Sequence, residues 1–368
     1  MLCQDFSYLS GDTMLGMNAR TAVLINVFLV GPGTHAFAQG TMARPTPSTT
    51  TRDSSGNLKT DNQAPPGETL ARGQVAIADG SAPEELVEIQ GVCGGVPKII
   101  AVADLKGRFS FNPNALSDIA DTKGCVLRAS LEGYRSDTKP WSEVNPNSAT
   151  KLGKIVLQPL SSDTNGLTSP SGVQAPKNAK KAYEKGLEEA AKQAWPNAIV
   201  SLLKATSAYP GYSSAWLSLG VLQQSNGDRD AARKSFEQSA QADGKFALPL
   251  IRIAALDAAR ADWQATLEYT QKAIDLNPGA FPHAYELNAI ANMNLQKPDA
   301  AEKSATEGLK LDTERRYPGL EYALGMILKS KNDRDGVMKH LQAYMDQAPN
   351  GQYAASVKKE LAQLQAAR

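Results

Sequence analysis

The stretch SSAWLSLGVLQQSNGDRDAARKSFEQSA, residues 213–240, decides how the chain folds. It reads as two amphipathic helices broken by a turn at Asn226-Gly227-Asp228. Trp216, Leu219 and Phe236 are large enough to fill the gap between two antiparallel helices. Gly220 and Ala232 are small enough to let the backbones approach. One such hairpin cannot bury its apolar faces alone, so copies of it are expected to stack.

The copies are present. Pro210 and Pro278 lie 68 positions apart, twice 34, and Pro349 marks a third repeat end. Small residues and Leu recur at the packing positions: Gly186, Ala198, Leu202 and Ala205 before the quoted stretch, and Ala273, Leu324-Gly325 and Leu341 after it. The W-x2-L-G and A-x3-F spacings and the period together resemble the tetratricopeptide repeat. The resemblance implies five repeats over residues 177–350. The fourth is expected to hold one extra residue near Leu295 to Pro298, and residues 351–368 to form a capping helix. It also implies a solenoid whose inner groove is lined by the first helix of each pair. In register, that groove is expected to present Tyr183, Leu187, Leu217, Val221, Ile251, Ala255, Ile290, Met293, Tyr322 and Met326. The set is apolar and lacks a regular Lys/Arg pattern. The implied partner is therefore a protein or peptide segment with an apolar face.

Residues 69–160 have a different texture. Short apolar runs alternate with turn signals: Ala71–Ile77, Leu86–Ile89, Lys98–Val102, Arg108–Phe111, Val126–Leu131 and Lys154–Leu157. This predicts a β-sandwich of about seven strands, giving a multidomain chain with the sandwich ahead of the all-α solenoid. Gly73/Val75, the run Asp104 to Phe111, Glu132 to Tyr134 and Leu152 to Leu157 resemble a carboxypeptidase-regulatory-like domain. That family has a transthyretin-like sandwich, grouped by shape with carbohydrate-binding-like folds. Cys93 and Cys125 lie in this domain without a C-x-x-C motif or a nearby histidine. In an oxidising compartment they are expected to form a disulfide, the alternative being two buried thiols. No metal site is expected.

The chain begins with export features. Arg20 precedes the apolar run TAVLINVFLV, residues 21–30, and Ala36-Phe37-Ala38 has the small-x-small form of a cleavage site. Residues 1–38 therefore read as a signal peptide, with no membrane span in the mature chain. Residues 39–68 are rich in Pro, Ser and Thr and read as a disordered linker, and residues 161–176 read as a second linker. The expected location is periplasmic or extracellular, at the cell envelope.

With a formal net charge of +1 there is no field to favour nucleic acid. Three histidines, and no phosphate-binding loop, dinucleotide fingerprint, zinc-protease motif or nucleophile elbow, argue against an enzyme and against a cofactor. His283 and His340 are expected at the surface or in the groove. Two readings remain. The first is an exported non-catalytic scaffold or adaptor that binds another protein through the groove. The second is a carbohydrate-binding envelope protein whose sandwich holds polysaccharide on Tyr134 and Trp141.

Overall fold

The computed structural model describes residues 70–119 and 122–366. The expected signal peptide and the first linker lie outside the described residues. The β region has eight strands: β1 (Ala71–Ile77), β2 (Glu88–Cys93), β3 (Val96–Val102), β4 (Arg108–Phe111), β5 (Val126–Ser130), β6 (Tyr134–Ser136), β7 (Thr138–Pro140) and β8 (Thr150–Pro159). They form two four-stranded sheets, ordered β4-β1-β8-β6 and β3-β2-β5-β7. All described pairings are antiparallel except that of β1 with β8. The two-residue period decides the faces. Phe109 and Phe111 point into the core from β4, as do Leu127 and Ala129 from β5. The β4 hairpin is closed by Asp104, whose Oδ1 accepts from the Lys106 and Arg108 amides. Gly107 completes the turn at φ 71°, where a side chain would collide with the Val75 carbonyl.

Cys93 and Cys125 are disulfide-bonded. The sheet register explains the pairing. Val92 lies opposite Val126 on the antiparallel β2–β5 pair, so the next residue of one strand faces the preceding residue of the other.

The helical half is five hairpins and a final helix. The hairpins are α2 (Lys177–Ala191) with α3 (Trp195–Ala208), α4 (Ser213–Ser225) with α5 (Arg229–Ala242), and α6 (Leu248–Ala258) with α7 (Trp263–Leu276). Then come α8 (Pro282–Asn294) with α9 (Pro298–Leu311) and α10 (Gly319–Ser330) with α11 (Arg334–Gln347). The final helix is α12 (Ala354–Ala366), and a short turn, α1 (Ser171–Gln174), precedes them all. The large-on-small rule read from the sequence operates as expected. A Cβ on Gly186 would sit 2.8 Å from Leu202, and Gly220 and Gly325 are covered as closely by Phe236 and Leu341.

Each first helix ends on a residue with positive φ: Gln193, Gly227, Ala261, Gln296 and Asn332. Asp228, Asp262 and Asp333 then cap the next helix by accepting an amide hydrogen bond three residues on. The positive-φ residues are spaced 34, 34, 35 and 36 apart. The buried crossing residues Gly220, Ala254, Ala289 and Gly325 keep the same spacing. The extra residue of the fourth repeat therefore precedes α8, in the turn Asn277–Phe281. It is not near Leu295–Pro298, as the sequence suggested. Two more residues lengthen the segment between α9 and α10, residues 312–318.

Residues 161–176, read as a linker, are a strap fixed to successive inter-hairpin turns. The Asn277 side-chain amide donates to the carbonyls of Asp163 and Asn165. The Ala247 amide donates to the Gly166 carbonyl. Ser169 Oγ donates to Asp243, and the Ser213 amide donates to Ser171 Oγ. Leu167 is fully buried and packs over Gly133 of the β region. The strap thus passes the turns of the fourth, third and second hairpins in reverse order before entering α2. The described residues fall in one compact unit, and one continuous apolar core runs from β1 to α10.

Candidate functional site

The face built by the first helix of each hairpin is where a guest was expected. The chain's own β region lies against it. Gln193, just after α2, donates to the Ile100 carbonyl of β3. Ser214 on α4 donates to Glu85 at 2.7 Å. Arg252 on α6 pairs with Glu88 of β2 at 2.9 Å, and His283 on α8 pairs with Glu132 at 2.8 Å. Arg316 donates to the Tyr134 carbonyl, and the Tyr317 hydroxyl reaches Glu132. Both residues belong to the lengthened segment before α10. The added length lets this turn reach the β region.

The ten expected groove residues divide accordingly. Tyr183, Leu187, Leu217, Val221, Ile251 and Ile290 are buried, the first five in the core shared with the β region. Tyr183 also shares a hydrogen bond with Ser218 and packs on Tyr212. Ala255, Met293, Tyr322 and Met326 stay half-buried. Tyr322 stacks on Tyr353, which precedes α12, with ring centroids 3.9 Å apart. The open trough expected from the repeats is therefore filled by apolar packing along the first three hairpins, while the β region meets the fourth at His283 and the end of α11 through its β2–β3 turn.

Tyr134 and Trp141, the two rings expected to hold glycan, are 7% and 8% exposed. Trp141 stacks on Phe111 in the core of the β region, with centroids 5.7 Å apart. Neither presents a flat ring to a sugar. The apolar body of each ring found a place in the small core, which a sequence reading cannot distinguish from an exposed platform. His340, expected in the groove or at the surface, is held by Glu321 at 2.6 Å.

The seam carries a partly open pocket of about 360 Å³ lined by charged groups from both halves: Glu88, Arg128 and Glu132 from one, Arg252, His283, Glu286 and Arg316 from the other. Its electrostatics follow from burial and pairing. Burial alone would raise the Glu132 carboxyl, but His283, Arg252 and Arg316 pull it down to about 2. Burial would lower His283, and Glu132 outweighs it, so the imidazole is raised. Glu286 has no comparable partner, and burial pushes it up to about 7. Glu85, beside the strap, is likewise pushed up to about 7 by burial despite its hydrogen bonds from Ser214 and Ser169. Among the described residues no group of three or more His, Cys, Asp or Glu could hold a metal ion. None of the described helices is long and apolar enough to cross a membrane.

Sequence reasoning missed the seam. Two signals pointed to it: charged residues (Arg252, His283, Glu286) interrupt an otherwise apolar helix face, and the segment before α10 breaks the period.

No family model matches the chain, and no curated protein sequence matches it. Solved helical-repeat structures do. A crystal structure of the MamA protein matches at 18% identity over 46% of this chain and 92% of that one, with a TM-score of 0.41. Pseudomonas aeruginosa PilF matches at 16% identity, covering 52% and 85% of the two chains, with a TM-score of 0.44. YrrB, described as a TPR protein with an unusual peptide-binding site, matches at 17% identity over 49% and 92%, with a TM-score of 0.42.

Proposed function

We propose that this chain is an exported, non-catalytic scaffold whose helical array binds an apolar segment of another protein on the part of its inner face that the β region leaves uncovered. The observation that carries this reading is the state of Met293 and Met326. Both remain half-buried; Met326, on α10, does so although the residues in its register on α2, α4 and α8 (Leu187, Val221 and Ile290) are buried, and Met293 lies three residues beyond Ile290 on α8. Met is an adaptable contact residue, suited to an irregular apolar guest. The β region then serves as a built-in occupant that fixes the array in one shape and narrows the docking surface to its C-terminal end. We read the β region as a carboxypeptidase-regulatory-like sandwich, a reading supported by its two sheets with a common core and by the Asp104–Phe111 hairpin.

The export part of the proposal is supported by the apolar run after Arg20 and by the Cys93–Cys125 bond, which persists in an oxidising compartment. A mature N-terminus at Gln39, and cysteines that react with a thiol reagent only after reduction, are the expected outcomes in fractionated cells. A full-length chain in the cytosolic fraction would remove export from the proposal.

The docking reading is tested by Met293→Ser with Met326→Ser. Tyr322 is the poorer choice, because its stack on Tyr353 also holds the end of the array. In-cell crosslinking from this surface should lose its protein partner in the double variant while the melting temperature stays within a few degrees. An unchanged crosslink pattern would discard this surface.

A further inference from the structure

Three arginines reach the seam, and one of them has a carboxylate partner. Arg252 is paired with Glu88. Arg128 donates through Nε to the neutral side chain of Gln90 at 3.1 Å. Arg316 donates to the Tyr134 carbonyl at 2.8 Å and to Ser130 Oγ at 3.4 Å, while its buried Nε has no acceptor. Among the described residues neither Arg128 nor Arg316 forms an ion pair. Both line the seam pocket, and both also line a cleft of about 680 Å³ on its outer side, together with Thr138 and Lys139 and with the exposed carboxylates Asp137 and Glu314, which leave the lining with one positive charge in excess. The carboxylates whose charge reaches them, Glu132, Asp312 and Glu314, each hold another partner; Glu132 pairs with His283. Asp312 accepts the Arg316 and Tyr317 backbone amides, and Glu314 faces Arg135 at 3.6 Å.

Holding two half-buried guanidinium groups in the wall of one cleft is costly unless anionic charge compensates them. The chain carries that cost at Arg128, which burial and Arg316 pull down to about 10. An aromatic or aliphatic guest would leave the cost in place. A single carboxylate would be satisfied by one guanidinium fork. A dianionic tetrahedral group has more acceptor sites, enough for both forks with Lys139 and the Thr138 hydroxyl besides.

We propose that the outer cleft of the seam is a binding site for a phosphate-bearing small molecule, with the phosphate between Arg128 and Arg316 and Lys139 at the entrance. Such a ligand would bridge the β region, through β5 and β7, to the segment before α10. It would therefore tighten the seam when bound. This site is separate from the surface at Met293 and Met326, and its test is independent of that reading.

The test is titration calorimetry of the full chain with inorganic phosphate, with malonate and chloride at matched ionic strength, alongside melting curves. Phosphate is expected to bind one to one and to raise the melting temperature, with chloride silent. Arg128→Gln is expected to weaken phosphate binding tenfold or more, and Lys139→Ala by a smaller factor. Lys139 is half-buried on the edge strand β7, so its variant carries the test should Arg128→Gln not fold. A thermal gain that is equal for chloride, or unchanged in both variants, would overturn the proposal. Tighter binding of malonate than of phosphate would overturn the assignment of the ligand class.

Discussion

The strap and the seam both join the β region to the helical array, and they do so by opposite chemistry. The strap uses mainly neutral hydrogen bonds, many to backbone, repeated at turn after turn: Ser171 to Ser213, Gly166 to Ala247, Asp163 and Asn165 to Asn277, with Ser169 alone turned to carboxylates, Asp243 and Glu85. The seam uses single charged contacts that occur once each: Arg252 to Glu88, His283 to Glu132. Where the 34-residue period holds, successive turns offer the same groups, and a polar strap can use them in sequence. Where the period is broken, at residues 312–318, the chain gains the unique residues Arg316 and Tyr317. A repeated contact tolerates the loss of one member. A unique buried pair does not.

The largest break is expected at Arg252. Arg252→Met leaves Glu88, 3% exposed, without its cation. Breaking a buried pair from one side costs about 3–5 kcal/mol. Urea unfolding should show this loss, and adding Glu88→Gln should restore a large part of it. Equal losses from the single and double variants would mean that the pair contributes little beyond packing.

Next is the disulfide, which closes β2, the strand carrying Glu88, onto the segment ahead of β5. With a sequence separation of 32 residues, the chain-entropy model assigns it about 3–4 kcal/mol. Reduction should lower stability by that order. It should also loosen the seam before the strap, seen as earlier amide exchange at Glu88–Val92 than at Gly166–Ser171.

The comparison is visible in the sequence on one side only. The hairpins, most of the strands and the cysteine pair were legible, because each rests on a pattern local to a few residues: a 34-residue period, alternation, turn glycines. The strap was not. Its composition is that of a flexible linker, Leu167 is its lone large apolar residue in the middle, and its anchors are mainly backbone groups and serines that carry no periodic signal. The seam was legible only as anomalies. His283 reads as a surface or groove residue, but nothing local points to its partner Glu132, 151 positions away. The expected groove residues lie on the first helix of each hairpin, six of them buried, and no local pattern tells whether a face meets a stranger or the chain's own sheet.

Acidity should separate the two joints further. Glu85 and Glu286 are raised by burial to about 7, so in the folded state they bind protons that the unfolded chain has released. Stability should therefore fall as pH rises from the ordinary carboxylate value of about 4.5 towards 7. His283, raised by Glu132 against its burial, has the same sign: its contribution is present below its unfolded value and lost as pH rises through the folded one. Glu132, held near 2, keeps its contribution throughout this range. The groups facing these carboxyls, Glu84 and Asp243 near Glu85 and Asp312 near Glu286, add repulsion as pH rises. A loss of about 1–3 kcal/mol between pH 6 and pH 8 is expected. Glu85→Gln should flatten the slope, and an unchanged slope would show that Glu85 is ionised in the fold.

The smallest effect is expected in the strap, and it tests redundancy directly. Ser169 Oγ donates to Asp243 at 2.7 Å and lies 2.9 Å from Ser171 Oγ, and the Ser169 amide donates to Glu85. Ser169→Ala removes the hydroxyl and keeps the amide. The neighbouring anchors at Ala247 and Asn277 are untouched, so the cost should be about 1–2 kcal/mol, that of one hydrogen bond to a carboxylate with its weaker contacts to Ser171. Joined with Asn277→Ala, the losses should add, since the anchors sit on different turns and share no partner. A double variant that loses far more than the sum would mean that the strap detaches as one piece, which would make its contacts as interdependent as those of the seam.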